Sequence, residues 1–267
     1  MTRGIWVLIL AAVSLTSCRT GRNYSDPQLP RWFGATPAVS VLSSDTLRVV
    51  SFNIAFARHI DSALVVLTDP ALRDADIILL QEMDAIGTQR IATAFGLGYV
   101  YYPASNVSRT HRDFGNAILS RWPMEEDAKI MLPHPAQFTR SRRIATAATI
   151  HVGSKLLRVY SAHFGSVAEI GPRRRRDQLD AIMRDAKRFD RVIIGGDMNS
   201  GSVGEHAAES GYTWPTATLR TARLGMRYDH FFIRGLQFAS PGGVGVVDAV
   251  RGSSDHRPIW IQIVTVP

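Results

Sequence analysis

The chain has 267 residues, a formal net charge of +8, 45% hydrophobic residues and 20% charged residues. These values are ordinary for a globular protein with a full-sized core, arranged as one large domain or two small ones. The only cysteine is Cys18, which excludes an intrachain disulfide.

The basic residues are mostly arginine, because lysine occurs only at positions 129, 155 and 187. An arginine side chain presents a planar fork that matches two phosphate oxygens at once. The bias is therefore compatible with a phosphate-bearing partner such as nucleic acid, a nucleotide or a lipid headgroup. A genomic base composition that favours arginine codons is the simpler explanation of the bias itself.

The first 18 residues predict a secretory signal. Arg3 gives a positive start, and residues 5–15 form an apolar run too short to span a bilayer comfortably. The sequence Leu-Thr-Ser-Cys that ends at Cys18 resembles the lipobox of bacterial lipoproteins. The resemblance implies a lipid on Cys18, export, and a place in the cell envelope, on the outer membrane facing the periplasm where the cell has one. A plain secretory signal that ends near a cysteine is the alternative.

Residues 19–45 predict a flexible tether, because Gly, Pro and Ser are frequent and no hydrophobic period is present. The remaining residues, 46–267, predict one domain. No other segment is long and apolar enough to cross a membrane.

The domain predicts many strands and few helices. Predicted strands cover residues 47–54, 76–82, 99–102, 116–120, 144–152, 156–163, 191–195, 228–233 and 259–266. Predicted helices cover residues 62–75, which Pro70 bends or divides, 88–95 and 173–189. Hairpins mixed with βα units indicate an α/β (mixed α+β) domain with mixed sheets.

Polar side chains follow several of these apolar strands. They are Asn53, Glu82, His163, Asp197 and Asn199. Strands of one sheet end at a common edge, so these groups are expected to converge on one rim.

Three short strings carry the candidate chemistry. Asp197 and Asn199 follow two glycines, and oxygen ligands of this kind suit a hard cation such as Mg²⁺. A simple Asx turn after a strand is the alternative. His256 follows Asp255 and can act as an acid or base, although most such pairs are surface residues. Asp229 enters an apolar strand, and its partner is either His256 or a local backbone amide.

Seven strings in order resemble the endonuclease/exonuclease/phosphatase superfamily, which has the DNase I-like fold. They are VSFNI at 50–54, LQE at 80–82, GNAILSR at 115–121, SAHF at 161–164, GDMN at 196–199, YDH at 228–230 and SDH at 254–256. The resemblance runs from about residue 47 to the end of the chain. It implies a four-layer α/β sandwich with two mixed β-sheets.

The resemblance also implies a role for each matching residue. The implied metal residues, for Mg²⁺ or Mn²⁺, are Glu82 with Asn53 beside it and Asp255 near the ion. The implied catalytic residues are Asp197 acting on water, Asn199 and His163 on the phosphate, and Asp229 paired with His256. Arg143 and Asn116 are further candidates for contact with the substrate phosphate.

The sequence thus predicts a metal-dependent phosphoester hydrolase, exported and lipid-anchored, that acts on nucleic acid, a nucleotide or a phospholipid headgroup. A secreted Mg²⁺-dependent nuclease and a non-catalytic envelope lipoprotein that uses the fold as a binding scaffold are the alternatives. Abasic-site nucleases of the superfamily commonly carry Gln-Glu-Thr-Lys at the position where this chain has Gln-Glu-Met-Asp (81–84). This difference argues against an abasic-site nuclease. The four arginines at 173–176 either face phosphates or form a solvated helix start. No protein partner is predicted.

Overall fold

Two mixed β-sheets and four α-helices make up the computed structural model, which describes residues 21–35, 46–107 and 110–264. The strands are β1 (Gly21–Asn23), β2 (Trp32–Gly34), β3 (Thr46–Asn53), β4 (Ile77–Met83), β5 (Gly98–Val107), β6 (Arg112–Ser120), β7 (Met124–Met131), β8 (Ile144–Val152), β9 (Lys155–His163), β10 (Val192–Asp197), β11 (Asp229–Arg234), β12 (Gln237–Phe238), β13 (Val244–Val246) and β14 (Ile259–Val264). The helices are α1 (Ile60–Leu67), α2 (Ala85–Phe95), α3 (Pro172–Ala186) and α4 (Val203–Glu209). The predicted signal segment and Cys18 lie outside the described residues.

The first sheet has the order β1-β5-β6-β4-β3-β14-β12, with β2 also pairing β5 and β13 also pairing β14. The second sheet has the order β11-β10-β9-β8-β7. Each sheet contains one parallel pair, β3 with β4 in the first and β9 with β10 in the second. The remaining pairs are antiparallel, so both sheets are mixed as predicted.

Successive side chains of the central strands point to alternate faces, so the buried apolar residues form three layers, one between the sheets and one on each outer face. Leu79 of β4 and Ile193 of β10 lie in the layer between the two sheets. Their neighbours point the other way: Leu80 packs under α1 and α2, and Ile194 packs with Leu179 of α3. Successive strand residues face opposite sides, so a helix layer covers each outer face. The predicted four-layer sandwich is confirmed.

Part of the segment predicted as a tether belongs to the first sheet. Both β1 and β2 lie inside the predicted 19–45 segment, and both pair with β5. Arg31 also forms an ion pair with Asp127 at 2.6 Å. The tether prediction is therefore wrong for residues 21–34, since three-residue strands leave no hydrophobic period to read. Residues 36–45 lie outside the described part of the chain.

The helix predicted over residues 62–75 begins at Ile60 and ends at Leu67. Pro70 has no N–H to donate, and its ring would collide with the carbonyl of Val66, so the helix cannot continue. Asp69 instead accepts a hydrogen bond from the Ala71 amide at 2.9 Å and closes a turn. The prediction was wrong beyond residue 67. Among the described residues, no helix is both long and apolar enough to cross a membrane.

Candidate active site

Four polar strand ends meet at one edge of the sandwich. β3 ends at Asn53 and its parallel neighbour β4 carries Glu82 next to its end. In the second sheet, β9 ends at His163 and β10 ends at Asp197, opposite each other in register. Asn53 Nδ2 donates to Asp197 Oδ2 at 3.0 Å, so the site joins the two sheets.

Glu82 is aimed into this site by an irregularity in β4. Its φ of 58° lies in the left-handed region, and the pairing with β6 shifts register between Leu80 and Met83. A bulge of this kind redirects a side chain, at a backbone cost of about 1–2 kcal/mol for a residue other than glycine. Glu82 Oε1 accepts from Asn53 Nδ2 at 3.2 Å, and Oε2 accepts from the Phe56 amide at 3.0 Å.

The turn after β3 supplies that backbone donor. Ala55, Phe56 and Ala57 have φ values of 44°, 64° and 50°, three left-handed residues in succession. The Ala55 amide donates to Asn53 Oδ1 at 3.0 Å, which fixes the start of the turn. No motif in the sequence marked this turn, although strained backbone of this kind concentrates at functional sites.

Asp229 and His256 form a buried hydrogen-bonded pair. His256 Nδ1 lies 2.8 Å from Asp229 Oδ2, and its Nε2 lies 3.6 Å from Asp197 Oδ2. Burial lowers the pKa of His256, but the carboxylates of Asp229 and Asp197 outweigh it, so the pKa is raised. The ring therefore carries a proton at neutral pH and turns Nε2 toward Asp197.

Asp197 lies at the centre of the polar cluster. Burial raises the pKa of its carboxyl, against the opposing effect of the His256 charge. Asp197 Oδ1 accepts from the Asn199 amide at 2.8 Å, while Oδ2 faces Asn53 and the histidines. A carboxylate with a raised pKa is suited to accept a proton from water near neutral pH.

His163 is buried and neutral. Burial lowers its pKa well below the ordinary value, and the charges of Arg143 and His256 lower it further. Arg143 Nη1 approaches the ring between its nitrogens, at 3.2 Å from Nδ1 and 3.3 Å from Nε2. Arg143 Nη2 donates to Glu169 at 2.8 Å, an ion pair that the sequence analysis missed.

Asn199 and Asp255 complete the wall of the site. Asn199 has a φ of 49°, and its Nδ2 donates to the Phe164 carbonyl at 3.1 Å. This bond uses one amide hydrogen and leaves the second available to a ligand in the cleft. Asp255 is exposed at the mouth of the site, beside His256. Both residues line the cleft described next.

A cleft of about 440 Å³ collects most of the predicted residues. The predicted residues that line it are Glu82, Arg143, His163, Asp197, Asn199, Asp255 and His256. Asn53 and Asp229 lie behind this wall and hold Glu82, Asp197 and His256 in place. The lining also includes loop residues that no sequence motif indicated, among them Phe56, Arg58, His59 and Ser166.

The structure does not bring Asn116 to the cleft. Its side chain is buried between the sheets, where Nδ2 donates to the carbonyls of Ile144 at 2.8 Å and Ser161 at 3.2 Å. Both amide hydrogens are therefore used in joining strands. The prediction that Asn116 contacts the substrate phosphate does not fit this placement.

A second, more apolar groove of about 230 Å³ continues from the cleft. Phe56 and Arg143 line both, and Phe114 forms part of the groove wall. The Phe114 ring lies 5.1 Å from the Phe56 ring and 5.5 Å from the His163 ring. An aromatic wall thus leads outward from the buried polar cluster.

The Glu82 side of the cleft fits an oxygen-preferring cation. Among the described residues, the only basic side chain within ion-pair distance of Glu82 is His163, at 3.8 Å, and burial keeps that ring neutral. Burial also raises the pKa of Glu82, as expected for a carboxylate that lacks a close counter-charge. A divalent cation held by Glu82 and Asp255 would supply that charge. Asn53 turns its nitrogen toward Glu82, so its oxygen reaches an ion only if the amide is reversed.

A second group, Asp197, Asp229 and His256, has ligand atoms within 4.8 Å of one another. Here the His256–Asp229 hydrogen bond already occupies the ring nitrogen that faces Asp229. The protonated ring supplies positive charge to both carboxylates and disfavours a cation beside it. The donor set therefore fits a metal on the Glu82 side better than inside this group.

Comparison with family models identifies a family for this chain. The model described as the endonuclease/exonuclease/phosphatase family covers residues 50–256, which include Asn53, Glu82 and His256. A search of curated protein sequences finds no match.

Solved structures share the fold at low sequence identity. A D. rerio TDP2 humanised by 14 mutations is 18% identical, with a TM-score of 0.65 over 83% of this chain and 100% of that chain. An endonuclease/exonuclease/phosphatase from Beutenbergia cavernae is 16% identical, with a TM-score of 0.65 over 83% of this chain and 72% of its own. The human Nocturnin catalytic domain with bound sulfate is 17% identical, with a TM-score of 0.58 over 87% and 97%.

Proposed function

The chain belongs to the endonuclease/exonuclease/phosphatase family, and from this premise we propose that it is an exported, lipid-anchored, metal-dependent phosphoester hydrolase. Members of the family are typically metal-dependent hydrolases of phosphoesters. The observation that carries the proposal is the meeting of Glu82, Asp197 and His256 from three separate segments in one cleft.

Asp197 is the group that positions and deprotonates the attacking water. Its carboxylate is buried, has a raised pKa and is fixed by the Asn53 and Asn199 hydrogen bonds. Because these hydrogen bonds already fix the carboxylate, it loses little conformational entropy when it orients a water molecule for attack. As the water oxygen bonds to phosphorus, its proton moves to an Asp197 oxygen, the P–O ester bond breaks, and the departing alkoxide takes a proton from solvent to leave as the alcohol.

Positive and neutral donors oppose the charge that develops on the phosphate oxygens. His256 is protonated through its pair with Asp229, and Asn199 has an amide hydrogen left for the substrate. Arg143 approaches the same wall beside His163. Donors fixed in a buried site stabilise such a transition state more than mobile water does.

Glu82 and Asp255 are the residues that would hold Mg²⁺ or Mn²⁺, with Asn53 supporting Glu82. The ion, when bound, supplies a Lewis acid that polarises the phosphoryl oxygen. Glu82 is already aimed by the bulge in β4 and by the Phe56 amide, so little rearrangement of the protein is needed to receive it.

Turnover of bis-p-nitrophenyl phosphate with Mg²⁺ or Mn²⁺, and its loss with EDTA, tests the proposal. His256→Ala is expected to lower kcat by about 10²-fold or more. The matched control is His151→Ala, which removes a histidine at the opposite end of the β8–β9 hairpin from the cleft residue His163. Turnover that survives His256→Ala undiminished would contradict the assigned site.

Export and lipidation rest on the sequence alone. The apolar run at 5–15 and the sole cysteine at 18 support them. Incorporation of labelled palmitate into the full chain in bacterial cells, compared with Cys18→Ser, tests the anchor. Equal label in both chains, or none in the parent, contradicts lipidation while leaving the hydrolase proposal untouched.

The substrate is a phosphoester of nucleic acid, a nucleotide or a phospholipid headgroup. A dedicated secreted nuclease would cleave plasmid DNA with Mg²⁺ and show a steep salt dependence. A non-catalytic scaffold would bind such ligands without turning over any phosphoester. A panel of DNA, RNA, sphingomyelin and inositol phosphates, run with bis-p-nitrophenyl phosphate, separates these three outcomes.

A further inference from the structure

Several exposed apolar side chains lie in loops next to the cleft. Leu224 is 96% exposed, Phe138 is 79% exposed and Val167 is 58% exposed. Met226 and Phe56 are exposed as well. Single exposed apolar residues are ordinary, whereas a group that shares the rim of one cleft indicates an interaction surface.

The loop that carries Leu224 is fixed to the wall of the cleft. Ala222 forms an isolated β-bridge with His256, and the Arg257 amide donates to the Thr221 carbonyl at 2.7 Å. Leu224 itself has a φ of 58°, a left-handed conformation that non-glycine residues rarely adopt. The leucine is thus held outward on a short 3₁₀ turn (Arg223–Gly225) next to the site rather than on a distant loop.

The loop that carries Phe138 adjoins the cleft on the other side. The Ala136 amide donates to the Ser141 carbonyl at 2.8 Å and closes the loop. Thr139 and Ser141 line the groove that shares Phe56 and Arg143 with the cleft. Val167 follows Ser166, which lines the cleft directly.

Arginines flank the apolar tips. The exposed arginines in these loops are Arg58, Arg140, Arg142, Arg220, Arg223 and Arg227. The segments 55–59, 133–143 and 216–227 contain no Asp or Glu. Of the acidic residues nearby, Glu169 pairs with Arg143, Asp248 pairs with Arg257, and Asp255 is exposed. The arginines outnumber these carboxylates, so the rim is apolar at its tips and net positive around them, which complements an anionic surface that has an apolar interior.

We propose that the rim of the cleft docks on an anionic phospholipid membrane, with the Leu224 turn entering the interface. Phe138 and Phe56 of the rim offer rings that suit either lipid or a base, so the choice depends on the Leu224 turn. Leu224 and Met226 there are aliphatic, as is Val167, and they gain by leaving water but offer no ring on which a base can stack. Their chemistry favours lipid over single-stranded nucleic acid. That the docked cleft then faces lipid phosphoesters rests on the proposed function, whereas docking itself is measured without turnover.

A fluorescent label at the tip tests the docking. In the full chain with Cys18→Ser, Leu224→Cys provides a single thiol for an NBD dye, whose emission rises in an apolar environment. The matched control is Leu156→Cys, at the other end of β9 from His163. Whatever the apolar N-terminal run contributes to binding is the same in both chains, so only the difference between the two labels counts.

Phosphatidylglycerol vesicles are expected to raise the emission at position 224 several-fold and to leave position 156 unchanged. Phosphatidylcholine vesicles are expected to give a smaller rise, and Arg220→Gln with Arg223→Gln to reduce the rise on phosphatidylglycerol. Equal responses at the two positions, or none at 224, overturn the proposal. A response at 224 to single-stranded DNA but not to vesicles also overturns it and assigns the rim to nucleic acid.

Turnover of bis-p-nitrophenyl phosphate by the unlabelled Cys18→Ser chain is measured in parallel. Activity without docking overturns the membrane surface alone, and docking without activity overturns the hydrolase alone. Circular dichroism of each labelled chain shows that it is folded.

Discussion

The chemistry of the cleft depends on how each buried carboxylate is partnered. Asp229 is paired with His256 and keeps that ring protonated, whereas Glu82 has hydrogen-bond donors but a neutral histidine as its nearest basic neighbour. The two carboxylates thus suit different partners: Asp229 suits the protonated ring of His256, and Glu82 suits a cation. Burial raises the pKa of Glu82 and neighbouring carboxylates raise the pKa of His256 against its burial, and perturbed pKa values of this kind are typical of catalytic sites.

Replacing Asp229 by Asn tests the positioning pair. The amide keeps the size of the side chain but removes the charge that raises the pKa of His256 and fixes its ring. We expect kcat for bis-p-nitrophenyl phosphate to fall by about 10²–10⁴-fold. Asp180→Asn serves as the control and should retain activity, because it alters a more exposed pair between Asp180 of α3 and His206 of α4. Full activity in Asp229→Asn would show that the Asp229–His256 pair is not required for turnover.

At this scale the sequence predicted the strand-end residues well and the loop residues poorly. Glu82, His163 and Asp197 stand at the ends of apolar runs, and that position is visible in the sequence. Phe56 and Glu169 lie in loops where no period applies, and their places depend on contacts with distant residues. Asn116 lies in a family motif and was therefore predicted to contact the substrate phosphate, but its side-chain amide joins strands instead.

The elements hold the site through close backbone packing. Gly196 in β10 has a φ of 146°, and a Cβ there would lie 1.9 Å from the Ala162 carbonyl oxygen of β9. Gly196 therefore permits the parallel pair β9–β10 to approach and sets Asp197 opposite His163.

Gly196→Ala is expected to lower the free energy of unfolding by about 3 kcal/mol or more, because backbone atoms must move to admit the methyl group. Urea unfolding followed by circular dichroism measures the change. Gly171→Ala, where a Cβ meets open space, should cost less than about 1 kcal/mol. Similar midpoints for the two variants would show that the β9–β10 contact is not required.

His230 of β11 gives the fold a dependence on pH. Trp214 Nε1 donates to its Nδ1 at 3.2 Å, and its Nε2 faces the Ser200 carbonyl at 3.1 Å, which suits a neutral ring. Burial lowers the pKa of His230 to about 4, from 6.5 in an exposed histidine. The unfolded chain binds this proton first, so stability is lost as the pH falls from 6.5 toward 4, by about 3 kcal/mol in total.

Urea unfolding at about pH 7 and about pH 5 measures this loss. His230→Gln should be less stable than the parent at the higher pH and should lose less on acidification, because the titrating ring is gone. His151→Gln, in the β8–β9 hairpin, should lose as much as the parent. An unchanged loss in His230→Gln would assign the acid sensitivity to other groups, such as His163.

Strong hydrophobic periods predicted most central strands, and weak periods hid the rest. The hairpin β8–β9 and the buried strands β4 and β10 were predicted close to their observed ends. β7 is an edge strand whose sequence, MEEDAKIM, carries charges where a buried strand would not, and it was missed. α4 has only seven residues and contains Gly204, so no helical period stands out. The bulge at Glu82 depends on pairing with β6 and leaves no local signal.

The whole molecule divides the site between its two sheets. The first sheet supplies Asn53 and Glu82, and the second supplies His163 and Asp197, joined by the Asn53–Asp197 hydrogen bond. Neither sheet alone has both the proposed metal side and the proposed water-activating side of the cleft. The loops of both halves then form the rim with its exposed apolar tips, so docking and chemistry would share one end of the sandwich.

The central claim is that these scattered polar residues form one metal-dependent phosphoesterase site, and a Mg²⁺ titration of bis-p-nitrophenyl phosphate turnover tests it most directly. The wild-type chain should show saturable activation by Mg²⁺, and Glu82→Gln should lose it, because the amide keeps the shape of the side chain without its charge. Glu125→Gln, at an exposed position of β7, should titrate like the wild type. Turnover in Glu82→Gln with the wild-type dependence on Mg²⁺, or turnover in the wild type that ignores Mg²⁺, would contradict the account.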